Sequence, residues 1–138
     1  MRGFTLVEVM IVLAILAIIS AVAIPGYQDQ VRETRRSDAT AVLMQARQAM
    51  ERHYSKFYSY AAANEGVTFP DQSPADGAVA YYDISLVNNA TTYTITATAV
   101  GAQAHDDCGN ISINQAGQKG AKDSAPAATS AADVQECW

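Results

Sequence analysis

Hydrophobic residues are distributed very unevenly along the chain. Between Phe4 and Ile24 the only polar side chains are Thr5, Glu8 and Ser20. A helix of about 21 residues rises about 31 Å, which is enough to cross the hydrocarbon core of a bilayer. The pattern therefore predicts a membrane-length apolar helix, with the carboxylate of Glu8 about one turn from its start.

A second helical pattern follows the apolar run. Pro25 and Gly26 come first, and a proline inside a helix removes one backbone hydrogen bond and crowds the preceding turn, so we expect a kink there. Apolar side chains then recur at three- and four-residue steps, which predicts an amphipathic helix continuing to about Tyr60. Its predicted buried stripe is Ala39, Val42, Leu43, Ala46, Met50, Tyr54 and Phe57.

The second half of the chain has the pattern of strands. Residues 66–77 contain two glycines and two prolines and predict a connecting loop. The pattern predicts three strands, at residues 79–86, 91–100 and 111–113. Apolar and polar side chains alternate most clearly in the second of them. We therefore expect an α+β fold in which the long helix covers the apolar face of a small antiparallel sheet.

Small and polar residues dominate near the C-terminus. Residues 121–132 are rich in alanine, serine, threonine and proline and predict a mobile loop. Cys108 and Cys137 flank this region. Two cysteines in an exported chain suggest one disulfide, although two unpaired thiols remain an alternative. A closed loop of about 30 residues would remove about 3.6 kcal/mol of unfolded-chain entropy.

Glu8 decides between three interpretations of the apolar segment. A secretory signal peptide needs a basic start and an apolar core of about 7–15 residues, but here the start is only Met1-Arg2 and the core is longer. A plain membrane anchor explains the length but leaves the carboxylate without a role. A helix that first lies in the membrane and later packs against other copies explains both, because assembly can supply a cation for the acid.

The first ten residues resemble a type IV prepilin, with the class III-type N-terminal methylation motif. The motif is Gly3-Phe4-Thr5-Leu6-Val7-Glu8 ahead of the apolar run, and Pro25-Gly26-Tyr27 adds a second match. The resemblance implies that a prepilin peptidase cuts between Gly3 and Phe4 and methylates the new amine of Phe4. It also implies that this amine pairs with Glu8 of a neighbouring subunit. The leader, residues 1–3, is shorter than is usual in the family.

The same resemblance implies the type IVa pilin fold and a division of the chain. Residues 1–3 are then a leader, 4–24 a transmembrane and filament-core helix, 25–61 an amphipathic helix, and 62–138 a sheet-bearing head. The Cys108–Cys137 pair would bound a C-terminal loop at 108–137. Segments near Cys108 and the terminal Cys137-Trp138 are more similar to minor pilins than to major subunits.

We find no pattern that indicates an enzyme or a cofactor. His105, Asp106, Asp107 and Cys108 form the densest group of metal-capable side chains, but a structural metal site needs more ligands, so we expect a solvated loop and no metal. His53 is expected at a packing or surface position. Neither a glycine-rich phosphate loop nor a nucleophile elbow is present in the sequence.

Charge is also uneven, which bears on partners. Six bases lie between residues 32 and 56 against three acids, whereas nine acids and two lysines follow residue 64. An acidic head repels DNA, and the basic stem of a pilin is largely internal in its filament, so we expect DNA to be a disfavoured partner. The stem suits acidic groups of neighbouring subunits or lipid headgroups.

The resemblance implies a structural, non-enzymatic function: a minor subunit of a type IV pilus that supports pilus assembly, adhesion, twitching motility or DNA uptake. Expected partners are other pilin subunits, the prepilin peptidase, the inner-membrane assembly machinery and lipid before assembly. Expected locations are the inner membrane, with a periplasmic head, and then the surface pilus. Alternatives are a type II secretion pseudopilin and a pilin-anchored adhesin or DNA receptor.

Overall fold

The computed structural model describes residues 3–138. These residues form two compact units, one ending at Glu33 and one spanning Thr34–Trp138. A single helix, α1, runs from Leu6 to Phe57 and contributes to both units. Met1 and Arg2 of the predicted leader lie outside the described residues.

The first unit is helical from Leu6 onward. Thr5 precedes the helix, and its hydroxyl accepts a hydrogen bond from the Glu8 amide at 3.3 Å. A threonine in this position satisfies one of the amides that a helix start leaves without a partner. The helix continues through Pro25. The kink at Pro25 and Gly26 remains a prediction.

Within the second unit, α1 buries one face. The predicted stripe is confirmed over most of its length, and Ala49 joins it. Its buried members are Ala39, Val42, Leu43, Ala46, Ala49 and Met50.

The prediction for Phe57 is wrong. Its side chain is 64% exposed, because the helix ends there and Tyr58 has the left-handed φ of 53°. The chain then reverses, and Tyr60 packs on Tyr54 and Tyr93 at ring-centroid distances of 4.6 and 4.8 Å. Tyr60, and not Phe57, is therefore the aromatic residue that is buried beside Tyr54.

Five strands form one antiparallel sheet in sequence order. They are β1 Gln72–Ser73, β2 Tyr82–Asn88, β3 Tyr93–Ala99, β4 Ile111–Asn114 and β5 Lys119–Gly120. The three predicted strands correspond to β2, β3 and β4, although β2 begins three residues later than expected. The two-residue strands β1 and β5 were not predicted, since two residues are too few to show alternation.

The core lies between the buried face of α1 and one face of the sheet. Alternation in β3 places Tyr93, Ile95 and Ala97 in this core. Ile95 is paired with Ile113 of β4 and Ala97 with Ile84 of β2. The predicted α+β fold, with the helix covering an antiparallel sheet, is confirmed.

A short helix occupies part of the predicted C-terminal loop. This helix, α2, spans Ala131–Cys137, and the hydroxyl of Ser130 accepts a hydrogen bond from the Asp133 amide at 3.1 Å. The predicted disulfide is confirmed, with 5.6 Å between the Cα atoms of Cys108 and Cys137. Trp138 then donates its indole hydrogen to the Gly120 carbonyl at 2.9 Å, so the chain end is bound to β5.

Candidate functional site

The apolar segment of α1 has no cover in the first unit. An 18-residue window within the helix has a mean hydropathy of 2.9, and none of it is buried. Phe4 is 84% exposed, and the large apolar side chains from Leu6 to Ile24 are exposed as well. Soluble monomers rarely expose contiguous apolar surface of this extent. The segment therefore needs lipid, other helices, or both in turn.

Glu8 lies in the first turn of α1. It stands three residues after the capping Thr5, which is the spacing of a capping box and is visible in the sequence. A carboxylate in the first turn also interacts favourably with the helix dipole. No ion pair to Glu8 is found among residues 3–138. Its charge is therefore only partly compensated within one described chain.

The predicted cleavage point lies just before the helix. Gly3 and Phe4 are exposed and have no regular secondary structure. A Cβ atom added at Gly3 would meet nothing within 4 Å. The packing of the described residues therefore does not require glycine at this position.

A buried ion pair connects α1 to the head. Arg36 donates to Asp106 at 2.6 Å, and the Tyr82 hydroxyl donates to the other Asp106 oxygen at 2.8 Å. Gln103 in turn donates to the Tyr82 hydroxyl at 3.1 Å. The Arg36 and Asp106 side chains are only 15% and 3% exposed. Burial first, and the hydrogen bond to Asp106 second, raise the pKa of Tyr82.

This geometry corrects one prediction. His105 and Asp107 are exposed, but Asp106 is buried and ion-paired, so the group is not simply a solvated loop. Cys108 is in the disulfide. Among residues 3–138 no group of three or more His, Cys, Asp and Glu side chains could hold a metal ion.

A second polar group lies near the end of α1. Glu51 accepts hydrogen bonds from the hydroxyls of Tyr93, at 3.0 Å, and of Tyr60, at 3.2 Å. Burial is the largest cause, and Glu51 the next, of a raised pKa for both tyrosines. Glu51 lies outside the predicted buried stripe of the helix, and no spacing in the sequence indicates that it contacts tyrosines so far away in the chain.

Two known family models match this chain, one over the apolar segment and one over much of the rest. Residues 1–24 match the model described as the prokaryotic N-terminal methylation motif. Residues 25–112 match the family described as "Type IV minor pilin ComP, DNA uptake sequence receptor". The second match covers more than half of the chain. The chain belongs to this type IV minor pilin family. The family is one of structural pilins.

Individual relatives are pilins as well. This minor pilin is 35% identical to the fimbrial protein EcpC of Eikenella corrodens over 103 residues, which are 70% of this chain and 61% of the relative. It is 31% identical to the type IV major pilin protein PilE1 of Neisseria gonorrhoeae over 105 residues, 74% of this chain and 57% of that one. The match thus spans about three fifths of the length of these relatives.

A solved structure supports the fold. A type IV pilin from Shewanella oneidensis superposes with a TM-score of 0.54 at 26% identity. The superposition covers 78% of this minor pilin and 97% of the Shewanella chain. The predicted type IV pilin fold is therefore confirmed. The apolar helix and the methylation motif also fit a pilin that is first anchored in a membrane.

Proposed function

We propose that this minor pilin is a structural subunit of a type IV pilus that assembles through its apolar segment. The observation that carries the proposal is the unburied 18-residue window of mean hydropathy 2.9. Because Glu8 has no ion pair among residues 3–138, a partner that also supplies a cation satisfies this surface best. A neighbouring pilin with a free N-terminal amine is such a partner.

Processing by a prepilin peptidase is the step that creates this amine. The proposed cut lies between Gly3 and Phe4, and the proposed methylation is on Phe4. The lack of any packing around a Cβ at Gly3 supports a role for the glycine outside the fold, as a peptidase recognition point. After the cut, the Phe4 amine pairs with Glu8 of the adjacent subunit.

Membrane and filament are two successive environments for the same helix in this proposal. Residues 4–24 first span the inner membrane with the head on the periplasmic side, and then join a helical bundle in the pilus. Small residues permit close approach between helices. They are Ala14, Ala17, Ser20, Ala21 and Ala23. The proposed kink at Pro25 and Gly26 would link residues 4–24 to the stem, residues 25–61, and the head, residues 62–138.

Purified filaments test the proposal. Pili sheared from cells that express the chain should contain it in its cleaved, methylated form, in substoichiometric amounts relative to the major subunit. Quantitative mass spectrometry measures both the ratio and the N-terminus. Absence from sheared pili, with recovery in secretion-system pseudopili instead, would favour the pseudopilin alternative.

A second candidate function is that of a DNA receptor carried on the pilus. The observation that favours it is the family description, which names a DNA uptake sequence receptor for residues 25–112. The acidic head argues against it, so the prediction that DNA is a disfavoured partner stays open. Measuring DNA binding to the full chain in a neutral detergent at several salt concentrations distinguishes a DNA receptor from a purely structural subunit. Micromolar affinity with a steep negative salt slope would support the receptor.

A further inference from the structure

The outer face of the sheet, which is the face opposite α1, carries hydroxyl groups. Alternate residues of β3 point into the core, so Thr94 and Thr96 point to the outer face. Thr96 is paired in register with Ser112 of β4. Ser112 lies between the core residues Ile111 and Ile113, so it points to the outer face as well. Three hydroxyl groups are therefore neighbours on this face.

The segment of residues 123–126 crosses over the outer face beside these hydroxyls. Gly120 of β5 permits the crossing, because a Cβ atom there would lie 2.6 Å from the carbonyl oxygen of Ser124. The Thr129 hydroxyl holds the segment in place, since it donates a hydrogen bond to the Ala125 carbonyl at 3.1 Å. The segment therefore forms a fixed wall above the sheet.

A polar cleft of about 290 Å³ lies between this wall and the outer face. Its volume is close to the lower end of the range of about 300–1,000 Å³ that is usual for small-ligand sites. Its polar lining includes Thr94, Thr96, Asn110, Ser112 and Asp123.

The hydroxyls of the cleft have no partners within the described chain. Ser112 is only 6% exposed, and its hydroxyl forms no hydrogen bond with any of residues 3–138. The hydroxyls of Thr94 and Thr96 likewise form none with these residues. A buried hydroxyl without a protein partner indicates a ligand or an ordered water that supplies one.

An amide and a carboxylate add a donor and an acceptor to the cleft. Asn110 accepts a hydrogen bond from the Ala99 amide at 3.1 Å through Oδ1, and its amino group has no acceptor among residues 3–138. Asp123 accepts from the Asn110 amide at 3.1 Å through Oδ1. Its Oδ2 atom forms no hydrogen bond or ion pair within the described residues. The cleft therefore offers both kinds of hydrogen-bonding group to one ligand.

These groups favour a neutral ligand that is rich in hydroxyls. None of the lining residues is basic, so the carboxylate of Asp123 repels phosphate and other anions. One carboxylate is too few for a hard cation, which takes about six to eight oxygen ligands. An apolar ligand would leave the hydroxyls unpaired. Sugar hydroxyls both donate and accept. Pro126, which also lines the cleft, adds apolar surface for the C–H groups of a sugar ring.

We propose that this cleft binds a neutral sugar residue of a glycan. The Asp123 Oδ2 atom accepts a hydrogen bond from one sugar hydroxyl, and the Asn110 amino group donates to another. The hydroxyls of Thr96 and Ser112 complete the contacts. The site uses neither the apolar segment nor Glu8, so the proposal is independent of pilus assembly and goes beyond both proposed functions.

Neutral methyl glycosides test the ligand class. The probes are the methyl glycosides of glucose, galactose, mannose and N-acetylglucosamine. Each is titrated into the full chain in a detergent without a sugar headgroup, and NMR follows the backbone amide resonances of Asn110, Ser112 and Asp123. We expect at least one glycoside to shift these resonances in a saturable way. No saturable shift with any of the four would overturn the proposal.

A pair of charge-matched variants tests the location. Asp123→Asn removes the carboxylate but keeps an acceptor for the Asn110 amide, and asparagine tolerates the left-handed φ of 60° at this position. Asp83→Asn is the control, because Asp83 is exposed on β2 and does not line the cleft. We expect Asp123→Asn to raise the glycoside Kd about tenfold, since hydrogen bonds to charged groups are the stronger ones, and Asp83→Asn to change it less than about twofold.

Ser112→Ala is a second variant, which removes the buried hydroxyl and should also weaken binding. Circular dichroism checks that each variant is folded. A loss confined to the Asp123 and Ser112 variants supports the site. Equal Kd values for these variants and the unsubstituted chain would overturn the location. Shifts of the same resonances by a short DNA duplex, with none by the glycosides, would assign the cleft to a nucleic acid and overturn the proposal.

Discussion

The two units of this minor pilin treat apolar surface and charge in opposite ways. The unit that contains the head, Thr34–Trp138, buries the helix stripe against the sheet and encloses Asp106 with Arg36 and Tyr82. In the apolar segment, none of the 18-residue window of highest hydropathy is buried. Glu8 has no ion pair among residues 3–138. The head has the features of a finished fold, whereas the segment has the features of an interface whose partner is elsewhere.

This difference separates stability from assembly. Substitutions in the head should change the free energy of unfolding and leave the N-terminal chemistry intact. Substitutions in the segment should change processing or incorporation and leave the head folded.

Gly3→Ser should abolish processing. The peptidase is proposed to need glycine before the cut, whereas the described packing does not. Mass spectrometry of the variant should show residues 1–3 still attached, with no chain in sheared pili. The head should unfold at the same denaturant concentration as in the unsubstituted chain. A variant that begins at methylated Phe4 would contradict the cleavage assignment.

Asp106→Ala should destabilise the head strongly. It leaves Arg36 and the Tyr82 hydroxyl without their buried partner, and breaking a buried pair in this way costs about 3–5 kcal/mol. Urea unfolding of the full chain in detergent, followed by tryptophan fluorescence, measures the change. Asp107→Ala is the matched control, since Asp107 is adjacent and exposed, and it should change the unfolding free energy by less than about 0.5 kcal/mol. Equal effects of the two substitutions would show that the Arg36–Asp106 contact is not important.

The double variant Cys108→Ser/Cys137→Ser should lose about 3.6 kcal/mol of unfolding free energy, from the entropy of a loop with a sequence separation of 29. A reductant should destabilise the unsubstituted chain by a similar amount and have no effect on the double variant. Unfolding in urea with and without reductant measures both. A reductant effect on the double variant would place the sensitivity outside this disulfide.

The head should become less stable above about pH 10. Burial and the hydrogen bond to Glu51 raise the pKa of Tyr93, so its proton is held more tightly in the folded chain than in the unfolded one. That contribution is complete below the ordinary tyrosine pKa. As pH rises further the unfolded chain ionises first, and stability falls by up to about 1.4 kcal/mol per pH unit for the group.

Tyr93→Phe isolates this contribution. Its unfolding free energy should decline less steeply between pH 10 and 11 than that of the unsubstituted chain. Tyr58→Phe, at an exposed tyrosine, is the control and should follow the unsubstituted profile. Identical slopes for all three chains would show that ionisation of Tyr93 does not cause the loss of stability.

The sequence predicted the elements with long periodic patterns. The stripe from Ala39 to Met50 and the alternation in β3 each span enough residues to show their period, and the structure confirms both. The disulfide followed from only two cysteines and a resemblance. Glu8 and its motif were visible because a charge in a long apolar run stands out.

The remaining features depend on contacts between residues that are distant in the chain. Asp106 and Arg36 are 70 positions apart, and Glu51 and Tyr93 are 42 apart, so no local spacing connects them. The helix α2 has seven residues, too few for periodicity, and lies in an alanine- and serine-rich region that resembles a loop in composition. Phe57 shows the converse case, because the chain reversal after the helix ends overrides the periodic pattern.

We propose that the apolar segment is an assembly interface completed by a charge pair between subunits. The decisive test is Glu8→Ala in the full chain. The control is Glu33→Ala, which removes an exposed helix carboxylate outside the apolar run. We expect the Glu8 variant to be cleaved and membrane-bound, and to be depleted from sheared pili relative to the Glu33 variant. Recovery of the Glu8 variant in pili at the unsubstituted level would contradict the claim.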